Sequence, residues 1–367
     1  MEKDLFQQNQ VSYINSLKDK NGYKFSHYSE TSSLPTSFSI MSLFALGATD
    51  ILSNEKRIIV NFLANKLNKI DLIVDEKYFH NEITSRNHDT EYVINQTTFF
   101  SFIALDILGT TIKKLEFLTP FYDPQFLESW VKKRFEGNFW AESNKLMFLF
   151  YFFAYVNKYG SPSEKTSVRI VIDRYFNLLD EHQDKTTGYW GHGKSLFRKA
   201  YGAAHLYLFY DYFEREIPFV DRILDSTLLL HARNGLAETA EGGACEDYDL
   251  IEIYLRVLKQ TNYKRDEVIS KLITMRKTIL VNTNSQGGFP YKFYRWPFLL
   301  HRVLQVRPSE KIAYSYSSLR SMTTPVYYPD CWATFFRNLS LNAIDLVTDK
   351  KRVPSYGLPG WGFLYKN

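Results

Sequence analysis

Gly188-Tyr189-Trp190-Gly191, set between a polar turn at 184–187 and the aromatic run 194–213, is one of four related stretches in this chain. The others are Gly137-Asn138-Phe139-Trp140, Gly242-Gly243-Ala244-Cys245 and Gly287-Gly288-Phe289-Pro290. Their first glycines stand 51, 54 and 45 residues apart, and most precede a long apolar run of helical character. A period of about 50 residues is too long for one helix and suits a helical hairpin closed by a structured loop. A chain of 367 residues then holds about six or seven hairpins, the number that closes into a ring. The spacing predicts an all-α fold: an α/α toroid of about six hairpins, or (α/α)6 barrel. It is expected to be one domain over residues 36–367, preceded by an irregular N-terminal arm or short first helix at 1–35.

Working outward from the repeats, helices are expected at 39–47, 58–67, 93–108, 145–156, 166–179, 194–213, 220–231, 247–258, 265–281 and 331–347. Several end on a glycine, such as Gly47, Gly109 or Gly160, as helices commonly do. Alternating strand patterns bounded by turn dipeptides do not recur. No Ser- or Pro-rich linker divides the chain. The least regular part, 286–328, carries Pro290, Pro297, Pro308 and Pro325 and reads as a lid or binding loop.

Composition narrows the function classes. Hydrophobic residues make up 45% of the chain, enough for a sizeable core. Aromatics reach 17%, with 26 Tyr and 29 Phe. Two readings stand: aromatic residues replace aliphatic ones in the core, or rings line a pocket for sugar faces or a carbocation. The net charge of +5 is dispersed, which argues against a nucleic-acid partner. Two cysteines, Cys245 and Cys331, make neither a disulfide framework nor a zinc cluster by themselves and suit a reducing compartment. The N-terminus shows no signal pattern, and the most apolar stretch, 147–156, is far shorter than the roughly 20 residues of a membrane span. A cytoplasmic location is expected.

The sequence Ser285-Gln286-Gly287-Gly288-Phe289 is similar to the Gln-Gly-Gly-Phe element of terpenoid cyclases and protein prenyltransferase β subunits. Asp184 through Trp190 is a looser version of that superfamily's Gln/Asp…Gly-x-Trp element. From about Val93 to Val347 the chain resembles these α/α toroids. The resemblance implies an aromatic-lined central cavity, carboxylate acid/base chemistry and an isoprenoid or similar apolar substrate. Asp247-Tyr248-Asp249 resembles part of the Asp-x-Asp-Asp acid motif of class II terpenoid cyclases. Leu250 replaces the final Asp, and Asp249 matches the proton donor. The same ring also carries glycan-active hydrolases, lyases and epimerases, so fold alone does not select the substrate.

In such a ring the loops entering the inner helices gather at one mouth. On the helix from Asp247, the apolar stripe Leu250, Ile251, Ile253, Tyr254, Val257 and Leu258 brings Glu246 and Asp247 to the ring interior. The same stripe turns Asp249 toward water or a neighbouring helix, and sets Glu252 and Arg256 as a surface pair. A second constellation is Arg198, Gly202 and His205 on one helical face, with small residues that admit a close neighbour. Candidate catalytic residues are therefore Asp247, Glu246, Asp249 and His205. Candidate substrate contacts are Trp190, Tyr189, His192, Arg198, Trp140, Phe289, Tyr291 and Trp332. His80, Glu82, Arg86 and His88 follow no metal-ligand spacing, and Asp330-Cys331 has no later His, so no metal or cofactor is expected. There is also no aspartate-rich magnesium motif, phosphate loop, nucleophile elbow or dinucleotide fingerprint.

Three readings remain open on these residues: an isoprenoid cyclase or transferase, a glycan-active toroid enzyme, and a non-catalytic scaffold. The partner expected is a small-molecule substrate, isoprenoid or sugar. Peripheral membrane contact is admissible, and the oligomeric state is open.

Overall fold

Helices without a polar side and helices with one alternate along this chain, and that alternation builds two concentric layers. The computed structural model describes residues 2–75, 89–112, 114–237, 243–283, 287–292, 313–315, 319–325, 328–349, 354 and 356–359. Helices α1 (Glu2–Ser16), α3 (Lys56–Ala64), α5 (Pro124–Glu136), α7 (Pro162–His182), α9 (Val220–Leu228) and α11 (Arg265–Val281) form the outer layer. Helices α2 (Ser33–Ala45), α4 (Thr90–Ile107), α6 (Phe139–Tyr159), α8 (Leu196–Tyr212), α10 (Ala244–Val257) and α12 (Cys331–Asp349) form the inner one. Each inner helix packs on the next, and α12 returns to α2, so the ring closes. Outside it, α1 lies on α2, α3 on α2 and α4, α5 and α7 on α6, α9 on α10, and α11 on α12. The chain is an all-α, α/α toroid.

The two layers follow from patterning. In α11 the buried residues Val268, Leu272, Met275 and Ile279 recur every three to four positions, a single stripe facing inward. In α6 every residue from Ser143 to Val156 is buried, because an inner helix meets neighbours on both sides and an outer helix behind. Outer helices also carry their own start signals. Ser161 and Glu164 form a reciprocal capping box around Pro162 in α7, and Asp123 caps α5 ahead of Pro124.

Contacts between neighbouring inner helices keep the same order along both helices. Ser143 of α6 meets His205 of α8, His205 faces Asp249 of α10, and further along Asp211 meets Arg256. The inner helices therefore run parallel, and their N-terminal ends share one mouth. Each Gly-aromatic element stands where an outer helix gives way to an inner one: before α6, α8, α10 and α12.

Several expectations need correction. Of the two forms expected for the N-terminal segment, residues 2–16 take the helical one, α1, and not the irregular arm. Its Tyr13 packs against Gly288 and its Phe6 ring against Phe289, so the segment belongs to the outer layer. Helix α5 escaped the sequence reading because its buried positions are few: Leu127, Val131, Arg134 and Phe135. One two-stranded antiparallel ribbon, β1 (Ala313–Ser315) with β2 (Thr323–Pro325), lies within the irregular stretch. Among the described residues no helix is long and apolar enough to cross a membrane.

Gly202 shows how tightly α8 meets α6: a Cβ there would run into the Phe139 ring and press on the Ser143 hydroxyl. Gly202→Leu is expected to lower stability by about 1–3 kcal/mol through overpacking. Gly193→Ala, with open space around it, should leave the melting temperature unchanged. Thermal denaturation of the two variants checks this.

Asp330 precedes α12, with a carboxylate oxygen accepting the Ala333 N–H at 2.6 Å. Burial nevertheless pushes its carboxyl from 3.8 up to about 8, against the backbone hydrogen bonds from Ala333 and Trp332 that favour the ionised form. A folded pKa above the unfolded one stabilises fully below pH 3.8, and that contribution is lost as pH rises through about 8. Urea midpoints should therefore fall between these limits, and Asp330→Asn should flatten that limb.

Candidate active site

Rotation of α8 and α10 about their own axes decides what the ring encloses. On α8, Tyr207 and Tyr210 point outward: Tyr207 donates to the Gly188 carbonyl and Tyr210 to Asp180 of α7. At roughly 100° per residue, His205 falls on the opposite side, toward the ring axis. On α10, Tyr254 faces outward, where its hydroxyl meets His231 Nε2 at 2.9 Å. Asp247, seven residues earlier, lies on the same outward side, whereas Asp249 is turned about 140° away.

The expected orientation fails for Asp247 and holds for Asp249 in one of its two forms, against a neighbouring helix. Asp247 does not face the interior. Its Oδ1 accepts the Ala237 N–H at 2.7 Å, and its Oδ2 accepts from Arg337 of α12 at 2.6 Å. Asp249 faces a neighbouring helix, one of the two surroundings expected for it, and not water. It is 1% exposed and lies between α10 and α8, with Oδ1 3.8 Å from His205 Nε2. The stripe misled because α10 is an inner helix with almost no solvent side: every residue from Glu246 to Val257 is buried. For the same reason Glu252 and Arg256 are not a surface pair. They meet at 2.6 Å in the interior, where Tyr248 also donates to Glu252 and Arg256 reaches Asp211 of α8 at 2.6 Å.

The network around His205 assigns its tautomer. Ser143 donates its one proton to the Trp140 carbonyl at 2.9 Å. It must then accept at its 2.8 Å contact with His205 Nδ1, so the imidazole carries its proton on Nδ1. Burial lowers the His205 pKa from 6.5 to about 3, so the ring is neutral and turns the Nε2 lone pair toward Asp249. Burial, and then the carboxyl groups of Glu246, Glu252 and Asp247, hold the Asp249 pKa well above its ordinary 3.8. Oδ1 of Asp249 has no hydrogen-bond partner, since 3.8 Å is too long for one. Asp249 is consequently a buried carboxyl whose surroundings favour its protonated form.

Glu246 is placed between the two. Burial raises its pKa, opposed by hydrogen bonds from Tyr291 and Cys245. The Tyr291 hydroxyl donates to Oε1 at 2.6 Å, and the Cys245 thiol approaches Oε2 at 3.2 Å. Gly243 permits this, because a Cβ there would enter the Tyr291 ring.

The other candidates separate cleanly. Trp140 is half-buried at the mouth, with its ring 5.6 Å from that of Tyr201. Trp332 lies inside the ring against Phe38, Phe100 and Phe336. Arg198 and His192 are exposed near the start of α8. Tyr189 and Trp190 are fully buried in the outward wall: Tyr189 meets Thr227 at 2.6 Å, and the Trp190 indole donates to the Leu179 carbonyl at 2.7 Å. Phe289 is buried beside Phe6 of α1. These three support the fold and do not reach the interior cluster, because the Gly-aromatic loops tuck their rings behind the inner helices. His80, Glu82, Arg86, His88, Glu241, Gly242 and Gln286 lie outside the described residues.

Arg337, Ser143 and Tyr201 were not singled out from sequence. Tyr201 had a usable signal, standing one helical turn before His205 on the same face. Arg337 and Ser143 had none, since their partners are distant in the chain. A cavity of about 640 Å³ lies elsewhere, lined by Ile112, Tyr122, Tyr155, Tyr159 and Val171. Tyr155 is about 18 Å along α6 from Ser143, so this cavity belongs to the other end of the ring.

No family model matches the chain, and no curated protein matches it. Among solved structures, it is similar to a type II terpene cyclase, MstE from Scytonema. The apo form has 11% identity and a TM-score of 0.46, covering 93% of this chain and 97% of that one. A variant in complex with geranylgeranyl dihydroxybenzoate has 12% identity and a TM-score of 0.48, covering 94% and 96%.

Removing the counter-charge of Asp247 tests its assignment as an anchor. Arg337→Met should cost about 3–5 kcal/mol in chemical denaturation, because it strands a buried carboxylate. Adding Asp247→Asn to that variant should restore much of the loss.

Proposed function

We propose that this chain is a proton-initiated isoprenoid cyclase with Asp249 as the general acid. The observation that carries this reading is the Asp249 carboxyl, buried inside the ring with one oxygen unpartnered and 3.8 Å from the His205 imidazole, where burial favours its protonated form. A carboxylic acid held protonated at neutral pH is suited to donate to a weakly basic group such as an alkene or an epoxide. Water would compete for the resulting cation, and nearly complete burial of the surrounding residues keeps water away. The rings of Phe38, Phe100, Trp332 and Phe336 present π faces that stabilise positive charge in the interior.

In the proposed reaction the Asp249 O–H proton passes to the reacting terminus of a linear isoprenoid. Electron pairs of successive double bonds then close rings, each leaving the positive charge one step further on. Loss of a proton to the Asp249 carboxylate ends the sequence, so the overall change is an isomerisation. Tyr291 and Cys245, by hydrogen bonding Glu246, keep that second carboxyl from competing as donor. The resemblance of Asp247-Tyr248-Asp249 to the class II acid motif supports the same residue, with Asp247 as anchor.

Purified protein incubated with a panel of linear prenyl substrates should yield cyclic isomers by gas chromatography–mass spectrometry. Asp249→Asn should lower turnover by about 10²–10⁴-fold while the melting temperature stays near wild type. Activity should also fall as pH rises through the elevated pKa of Asp249, because the donor then loses its proton. Unchanged turnover in Asp249→Asn would sink the assignment.

A further inference from the structure

The tail of the chain crosses the far end of the ring, where the inner helices finish. Beyond α12, which ends at Asp349, it returns against the inner helices at residues 356–358. Tyr356 is 5% exposed and Leu358 is fully buried. The Tyr356 ring meets Phe44, near the end of α2, edge-on with centroids 6.3 Å apart. Its hydroxyl lies 3.4 Å from that of Tyr151 on α6 and donates to Asp106 near the end of α4. Asp106 is itself held by Tyr159 and Lys158 of α6, so the acceptor is fixed. Gly357 packs on α6 as well, since a Cβ there would stand 2.9 Å from Lys158 Nζ. One side chain thus reaches three successive inner helices. Tyr151 faces inward among them: Phe153, two residues on, turns outward to Tyr175 of α7, and two residues are about 200° of helix. In the closed ring of inner helices α6 stands opposite α12, so the tail passes over the end of the ring to reach it.

Ser143, which marks the level of His205 and Asp249, stands eight residues before Tyr151 on α6, about 12 Å at the rise of an α-helix. We propose that Tyr356 is a specificity-determining residue: it is the floor of the ring interior and sets how long an apolar chain the ring accepts. This deepens the reading of the interior as the seat of a linear isoprenoid, and it rests on that reading. An extended chain of four isoprene units is longer than the distance from acid to floor. A chain of that size must therefore fold back on itself, which brings its double bonds within reach of one another. The floor is a rigid ring held at its edge by Phe44 and at its hydroxyl by Asp106. A chain too long for the interior has to break those contacts, so the floor selects by length. The same residue covers the interior against water from this end.

The test measures binding of two ladders of increasing length, linear prenyl alcohols and straight-chain alkanols, by quenching of tryptophan fluorescence. Wild type is compared with Tyr356→Ala, Tyr356→Trp and Tyr356→Phe at a temperature where each is folded. Wild-type affinity should rise with length to an optimum and fall by about tenfold beyond it. Tyr356→Ala vacates space comparable to one isoprene unit and should move the optimum to longer chains, whereas Tyr356→Trp should move it to shorter ones. Tyr356→Phe keeps the ring without the hydroxyl and should retain the wild-type optimum. An unchanged optimum in whichever of the Ala and Trp variants folds overturns the floor and leaves Asp249 to its own test. A shift with the alkanols while no prenyl alcohol binds supports the floor and instead defeats the isoprenoid reading. Binding of neither ladder by folded wild type overturns the floor.

Discussion

Arg337 meets Asp247 at 2.6 Å inside a wall of the ring where almost no solvent reaches either side chain, and the pair ties α10 to α12. Separating two such groups leaves each buried without compensation, so the contact is difficult to relinquish once formed. Its consequence is rotational. With Asp247 held outward against α12 and the Ala237 backbone, α10 cannot turn without breaking it. Asp249, two residues on, is thereby directed at α8 and the ring axis. The interior ladder of Glu252, Arg256 and Asp211 reinforces the same setting two turns further along.

Three acids within four positions of one helix therefore acquire different chemistry from their surroundings alone. Asp247 has a guanidinium, Glu246 has a phenol and a thiol, and Asp249 has an uncharged imidazole beyond hydrogen-bond range. Only the last has neither a counter-charge nor donors to offset desolvation, so burial dominates its titration. Asp75 shows the opposite balance at a comparable depth. Desolvation raises its pKa, but hydrogen bonding and charge from Lys66, with hydrogen bonds from Ser33, outweigh it and lower the carboxyl below its ordinary value.

The aromatic excess packs both between the layers and within the ring. Between layers, Phe150 stacks on Phe209 at 4.3 Å and packs on Tyr175 and Phe176, a position that aliphatic residues fill in other cores. Within the ring, Trp332 reaches Phe38 on the adjacent helix and Phe100 on the helix beyond it, so rings also face the axis. Composition counts rings, and which side of a helix wall they occupy depends on how that helix is turned.

The architecture was legible because it rests on local signals: glycine-aromatic spacing, glycine stops such as Gly47, and stripes like that of α11. Ten of the helices could be read this way, and α5 failed where its stripe was sparse. The site was legible only as a neighbourhood. Glu246, Asp249, His205, Trp140 and Tyr291 are brought together, while Tyr189, Trp190 and Phe289 go to the wall and His192 stays outside. By itself the sequence determined a ring of hairpins and the helix bearing its acids, since periodicity is carried by residues near one another in the chain. The facing of those acids was left to the tertiary structure. An inner helix buried on nearly every side has no polar face to announce its orientation, and partners such as Arg337, 90 residues from Asp247, choose it instead.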